Sequence, residues 1–232
     1  RRRGVGGEGG DDADRHRRKR ARAAEEPDLS LRTIAQEDFA RMEVLGQFNM
    51  GFIIARLGED LYILDQHACD EKFRFEALQR STTMHTQPLV VPKDLELEAP
   101  DELVVEENLA IFRANGFELR VDPEAPPTKR VKLAALPYSK STVFGPGDVH
   151  EMLCLLRESP GQHVQPSRVR AMFASRACRS AIMIGTPLSR ASMRNVVDHM
   201  GTMDQPWNCP HGRPTMRHLY TLAPGGVHGA PP

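Results

Sequence analysis

The chain is 232 residues long, its 31 basic side chains balance 31 acidic ones, and 40% of its residues are hydrophobic. That length supports one substantial core or two small ones, and the charge balance excludes a global field drawing the whole chain onto nucleic acid, so any such contact must be local. No apolar run approaches the roughly 20 residues of a membrane span and the N-terminus has no signal-peptide core, which excludes a membrane among the expected partners. Cys69, Cys154, Cys178 and Cys209 lack the dense spacing of a secreted disulfide framework and point to a reducing intracellular compartment. An initial arginine, and an opening poor in apolar residues, read as a piece of a longer protein.

Residues 1–31 have neither helical nor strand period and are predicted to form a disordered arm, unable to bury enough apolar surface to offset its ordering entropy. Within it, Arg15-His16-Arg17-Arg18-Lys19-Arg20-Ala21-Arg22 suits nuclear import or phosphate binding. Import is the reading adopted, and with it the nucleus. From Met42 the pattern turns apolar, and strands over 51–57 and 61–64 are joined by Gly58-Glu59-Asp60 as a hairpin. Asp65 stops the second strand and caps a helix over 66–78, because its carboxylate can accept from the first free N–H groups. Gln87-Pro88-Leu89-Val90-Val91-Pro92 reads as an edge strand ended by a proline.

One amphipathic helix is predicted over 101–115, with Leu103, Leu109 and Phe112 inward and Gly116 as its left-handed stop. Strands follow over 117–121 and 131–136. Asp148 and Glu151 form a capping box for a helix over 149–156, in which Cys154 is expected to be a buried core thiol. Ser167 caps a helix over 168–178, and Arg168, Arg170, Arg176 and Arg179 offer a basic surface for DNA phosphates. Residues 180–185 are small and apolar, suited to close packing; a helix over 192–200 stops at Gly201, a strand covers 216–222, and 225–232 is a frayed tail. These elements make a mixed α+β fold.

His67 and Glu71 are four apart, so on a helix they share one face with Cβ atoms about 5–6 Å apart. Alone, such a pair is more often an exposed polar couple than a metal site. Ala177-Cys178-Arg179 and Asn208-Cys209-Pro210-His211-Gly212-Arg213-Pro214 change that balance, because thiolate, imidazole and carboxylate are the ligands zinc takes in tetrahedral sites. His67, Glu71, Cys178, Cys209 and His211 suffice for one filled site and one open or shared one. No His-Glu-x-x-His helix, Ser-His-Asp arrangement or phosphate-cradling glycine loop is present, which argues against a zinc protease, a nucleophilic hydrolase and an ATP site in this segment.

Asp65-Gln66-His67-Ala68 with Glu71 and Glu76, then Ala177-Cys178-Arg179-Ser180, then Cys209-Pro210-His211-Gly212-Arg213-Pro214-Thr215, resemble the three endonuclease motifs of MutL homologues, in family order. The likeness runs over 34–222 and is greatest to the C-terminal domain of the Pms-type subunit of eukaryotic MutL-alpha. It implies a dimerisation and endonuclease lobe from 32–82 and 176–224, an inserted regulatory lobe from 83–175, an Mlh-type partner subunit, and an ATPase domain upstream. It also implies that Gln87, Leu89, Val90, Val91 and Pro92 form the short motif by which such proteins bind a sliding clamp.

The reaction so implied is hydrolysis of a phosphodiester in double-stranded DNA, leaving a nick. Asp65 and Glu71, with His67, are the expected catalytic groups around Mn²⁺ or Mg²⁺. His67, Cys178, Cys209 and His211 suit Zn²⁺, with Glu71 bridging the two functions, since thiolates are poor partners for hard ions. Glu76 falls half a turn from His67 and is expected to pair with a basic group. Gln66 is expected to orient its neighbours, and Arg179 and Arg213 to brace the motifs. The competing reading is a zinc-stabilised dimerisation module without chemistry of its own.

Overall fold

The protein is described here by a computed structural model covering residues 34–139 and 142–222. The basic arm, its import motif and the tail lie outside the described residues. The unit that begins at Gln36 contains a short helix α1 (Gln36–Arg41), three strands β1 (Glu43–Phe48), β2 (Phe52–Leu57) and β3 (Asp60–Asp65), and the helix α2 (Gln66–Ser81). An edge strand β4 (Thr86–Asp94), helices α3 (Ala99–Glu107) and α4 (Leu109–Ala114), and strands β5 (Glu118–Val121) and β6 (Val131–Pro137) follow. The chain then runs through α5 (Pro146–Glu158), α6 (Ser167–Ser180), α7 (Arg190–Met200) and β7 (Met216–Thr221), an α+β arrangement.

Two antiparallel sheets organise these elements. The first has the order β1-β2-β3-β7, so its last strand returns from the far end of the sequence to pair with β3. Period-two alternation sends Ile53, Ala55, Tyr62 and Leu64 to one face, where they are buried beneath the helices. The second, β4-β6-β5, comes wholly from the middle of the chain and packs on a core containing Phe112, Phe117, Leu133, Met152 and Phe173. Helix α2 serves both regions, with Phe75 in that core and the His67–Glu71 turn beside the first sheet.

Several local expectations are corrected by packing. Strand β4 does not stop at proline: pairing with β6 lapses after Pro88 and resumes at Lys93, so the edge bulges between Pro88 and Pro92, neither of which can donate. The helix over 101–115 is broken at Asn108, whose side-chain amide donates to the Val104 carbonyl at 2.8 Å. Leu103 is 59% exposed because α3 buries Val105, two positions on and so on nearly the opposite face. Cys154 is exposed because the buried stripe of α5 runs through Val149, Met152, Leu153 and Leu156.

Caps also shift. Pro146 starts α5, and Asp148 accepts from the Gly145 N–H at 2.8 Å from inside the first turn rather than from the cap position. Ser167 is the first residue of α6, not its cap, and its N–H and hydroxyl both donate to Glu151. Met183 and Ile184 stand 60% and 66% exposed, so the small apolar run after Cys178 is a surface loop. Gly116 does take the left-handed stop at φ +84°, and a Cβ there would sit 3.0 Å from those of Met84 and Pro137.

Candidate metal centre

Strand β3 delivers its last residue to a fixed point. The Asp65 N–H donates to the Thr215 carbonyl at 2.8 Å and the Gln66 N–H to Gly51 at 3.1 Å, which joins the start of α2 to the β1–β2 turn and to the approach to β7. Asp65 Oδ1 accepts from the Ala68 N–H at 2.9 Å, the helix cap expected from the sequence. Gln66 is wholly buried; its amide donates to the carbonyls of Met50 at 3.0 Å and Met183 at 3.2 Å, while its oxygen accepts from Gln47 at 2.7 Å. It thereby ties the hairpin turn to the loop after α6.

His67 Nδ1 lies 2.9 Å from the Ile182 carbonyl. A carbonyl only accepts, so Nδ1 carries the proton and the lone pair of Nε2 is free. That lone pair is 3.7 Å from Cys178 Sγ, at the end of α6. Asp70, which sequence reasoning missed, accepts from the Ile182 N–H at 2.8 Å and from Arg74 at 2.7 Å. It holds the same carbonyl-bearing loop in place, and only tertiary packing reveals that role.

The third segment forms a closed turn. Asn208 bridges Pro214, the Cys209 N–H donates to Arg213 and the Gly212 N–H to Cys209, each at 2.9 Å, and Gly212 supplies φ +84°. His67, Glu71 and Cys178 then form one group whose ligand atoms all lie within 4.8 Å of one another, and Glu71, Cys209 and His211 form a second. Glu71 belongs to both. Its Oε1 is buried with no aligned hydrogen-bond donor, although His211 Nδ1 stands 2.8 Å away. A buried carboxylate oxygen without a donor, between two thiols and two imidazoles, fits a cation.

Burial, and then the Glu71 carboxylate, push the Cys178 thiol up, against a smaller opposing pull from Arg213 and Arg179. Burial also pushes Cys209 up; the N–H groups of His211 and Arg213 oppose it, and Glu71 adds to it. Without a cation both thiols therefore keep their protons at neutral pH. Arg179 and Arg213 accordingly stand near Cys178, and Arg179 also donates to Ser175 at 2.7 Å.

Asp65 is in neither ligand group. Glu76, on the same helix, is 5% exposed and binds Lys72 and Arg80, each at 3.1 Å, along with the N–H groups of Asp204 and Gln205. It fixes the segment leading to Cys209 rather than joining the ligands. Along β4, Val90 and Val91 are fully and 75% exposed and Leu89 is half-buried. No helix among the described residues is long and apolar enough to cross a membrane.

Comparison with known proteins agrees with these motifs. Residues 45–188 match the MutL C-terminal dimerisation domain. Over 189 residues the chain is 55% identical to the mouse and human proteins named mismatch repair endonuclease PMS2, an alignment that covers 82% of this chain and 22% of each of theirs. The DNA mismatch repair protein PMS1 of Arabidopsis thaliana is 50% identical over 222 residues, covering 90% of this chain and 24% of its own length. The chain thus spans less than a quarter of these relatives. With the three motifs gathered at one centre and the family match spanning most of the described residues, the chain belongs to the MutL family, in the region of its C-terminal dimerisation domain.

Proposed function

We propose that this segment is the metal-dependent nicking domain of a mismatch-repair MutL subunit, acting on double-stranded DNA as a heterodimer with an Mlh-type subunit. The observation that carries the proposal is the buried Glu71, shared by two ligand groups, with one oxygen that has no aligned donor and lies 2.8 Å from His211 Nδ1. Cys178, Cys209 and His211, with His67, are the soft ligands for Zn²⁺. Glu71 would serve both that ion and a weaker Mn²⁺ or Mg²⁺, for which Asp65, whose Oδ1 caps α2, would be the second carboxylate. A hard divalent ion supplies polarisation of the phosphate and a bound water of lowered pKa.

The chain's own part is placement. Asp65, His67 and Glu71 leave from a strand end and the first turns of a helix welded to β7 and to the hairpin turn, which holds them more firmly than a loop would. Gln66 and Asp70 keep the Cys178 end of α6 against them. Arg179 and Arg213 brace the motifs, and Gln87, Leu89, Val90, Val91 and Pro92 form the sliding-clamp motif on an exposed edge. The basic arm acts in nuclear import. Residues 32–82 and 176–224 form the dimerisation lobe and 83–175 the regulatory lobe.

The test is nicking of supercoiled DNA with Mn²⁺ by the chain together with its Mlh-type partner, comparing Asp65→Asn and Glu71→Lys, with fold and zinc content checked. Loss of at least about 100-fold in both variants, with the dimer intact, is expected for an ion-bound carboxylate pair. Retained nicking in both sinks the assignment and leaves a zinc-held dimerisation module, the reading that Asp65's place outside both ligand groups favours.

The partner subunit docks, in this proposal, on the outer face of the first sheet. Cross-strand register puts Phe52, Ile54, Leu61 and Ile63 on that face, and Phe48 and Tyr220 join them at 58% and 61% exposure. Ile54→Arg places an unpaired charge there. Sedimentation velocity of the heterodimer is expected to show association weakened by at least about 30-fold, the scale of removing one central anchor from an interface. Unchanged association would move the interface elsewhere.

A further inference from the structure

Helices α2 and α6 pack antiparallel. Near one end His67 faces Cys178, and near the other the Gln79 amide donates to Gln165 at 2.6 Å, with the Arg170 guanidinium 5.9 Å above the Phe75 ring. That second end opens into a polar cleft of about 550 Å³ lined by Gln79, Arg80, His163, Gln165, Arg170 and Asp204. Its charged walls are two guanidiniums and one carboxylate, a net single positive charge. The Glu76 carboxylate beside it is shared between Arg80 and Lys72, so it does not neutralise the cleft alone.

Arg170 was expected to share a phosphate-binding surface with Arg168, Arg176 and Arg179, but Arg168 is tied to Asp148 at 3.3 Å and Arg179 to Ser175. Arg170 instead lines one cleft with Arg80. Arg80 is nine positions beyond Glu71 and Arg170 eight before Cys178, about 14 and 12 Å along their helices at 1.5 Å per residue. Both helices thus place the basic cleft at one distance from the candidate metal centre.

We infer that this cleft is a phosphate subsite for the DNA strand being cut, taking one backbone phosphodiester within about four nucleotides of the scissile bond, at 3.4 Å of helix axis per phosphate. A singly charged phosphodiester matches the net charge of the walls. The Arg170 fork, the Nη1 end of Arg80, whose Nε and Nη2 donate to Glu76, the amide of Gln165 and the imidazole N–H of His163 are suitable donors for its oxygens. Such a subsite sets the register of the strand at the metal centre without reading its sequence. The inference rests on the DNA-nicking reading above.

The test measures DNA affinity of the whole protein with its partner subunit by fluorescence anisotropy over a salt series without Mn²⁺ or Mg²⁺, beside nicking by the wild type with Mn²⁺. Arg80→Gln with Arg170→Gln is expected to weaken binding about tenfold at moderate salt and to reduce the log–log salt slope by about one, the signature of one fewer neutralised phosphate. Arg80→Lys with Arg170→Lys retains the slope. Asp204→Asn, which leaves its backbone N–H on Glu76, binds DNA several-fold tighter.

An unchanged slope and affinity in the folded glutamine pair overturns the subsite even where the wild type nicks, whereas a wild type that binds DNA with the expected slope but never nicks overturns only the nicking reading. Should the glutamine pair not fold, Asp204→Asn decides, since unchanged affinity there overturns the subsite. Micromolar binding of inorganic phosphate in calorimetry, with the DNA slope unaltered by the variants, also overturns it, by assigning the cleft to a free anion.

Discussion

Stripped of zinc by a tight chelator, the protein is expected to melt about 10 °C lower and to regain that stability when Zn²⁺ is restored. A ligand present at about 1,000 times its dissociation constant stabilises the native state by about 4 kcal/mol, and a domain of this size shifts by roughly 2–4 °C per kcal/mol. The loss stops short of unfolding because the middle-sheet core, with Phe112, Phe117, Leu133 and Phe173, contains none of the candidate ligands. Amide exchange should accelerate chiefly over 207–215, where the Asn208–Pro214 turn has few anchors beyond Cys209 and Thr215. Cys209→Ser is expected to reproduce the chelated state, since a hydroxyl does not replace a thiolate toward zinc. A melting temperature indifferent to chelator, with no zinc recovered from the purified protein, would refute the zinc assignment.

The grouping of the candidate ligands was legible in the sequence because each of their segments carries its own local instructions. Asp65 stops a strand and caps a helix, the i,i+4 spacing puts His67 and Glu71 on one face, and Gly212 closes the Cys-Pro-His turn. The hairpin of β2 and β3 and the returning strand β7 follow from alternation and turn residues for the same reason. What local pattern does not encode is which distant group completes a polar side chain. Gln66 and Asp70 each reach across more than 100 positions to the loop after α6; Gln66 was expected to orient its neighbours without its partners being known, and nothing in the flanks of Asp70 distinguishes it from a solvated residue. The same limit applies to phase: α3 buries Val105 rather than Leu103, and a stripe offset by one position left Cys154 exposed. Arg80 and Arg170 come to line one cleft only because α2 and α6 run antiparallel.

Glu76 is the position where a single atom exchange is expected to cost most stability without touching a ligand. Its Oε2 accepts from the Asp204 N–H at 2.8 Å and from Arg80, and its Oε1 accepts from the Gln205 N–H at 3.2 Å and lies 3.1 Å from Lys72 Nζ. Both oxygens face donors. Glu76→Gln keeps the size but turns one acceptor into an NH₂ group, which meets a backbone N–H and a cation instead of a lone pair. Losing charge-assisted bonds and leaving buried donors unmatched costs about 3–4 kcal/mol, or roughly 10 °C in melting temperature. Burial alone would raise this carboxyl, but the N–H groups of Asp204 and Gln205 and the Lys72 ammonium outweigh it and hold it below its ordinary 4.5. The stabilisation is therefore complete above the unfolded value near 4.5 and is lost as pH falls through the lower folded value, so the gap between wild type and Glu76→Gln should close under acid. Because Asp204 and Gln205 lead directly into Trp207 and Cys209, the same variant should release zinc faster at neutral pH, read with a chromogenic chelator. A variant as stable as the wild type at neutral pH would show that the carboxylate is not the anchor of that segment, and that Thr215 alone holds the Cys-Pro-His turn against α2.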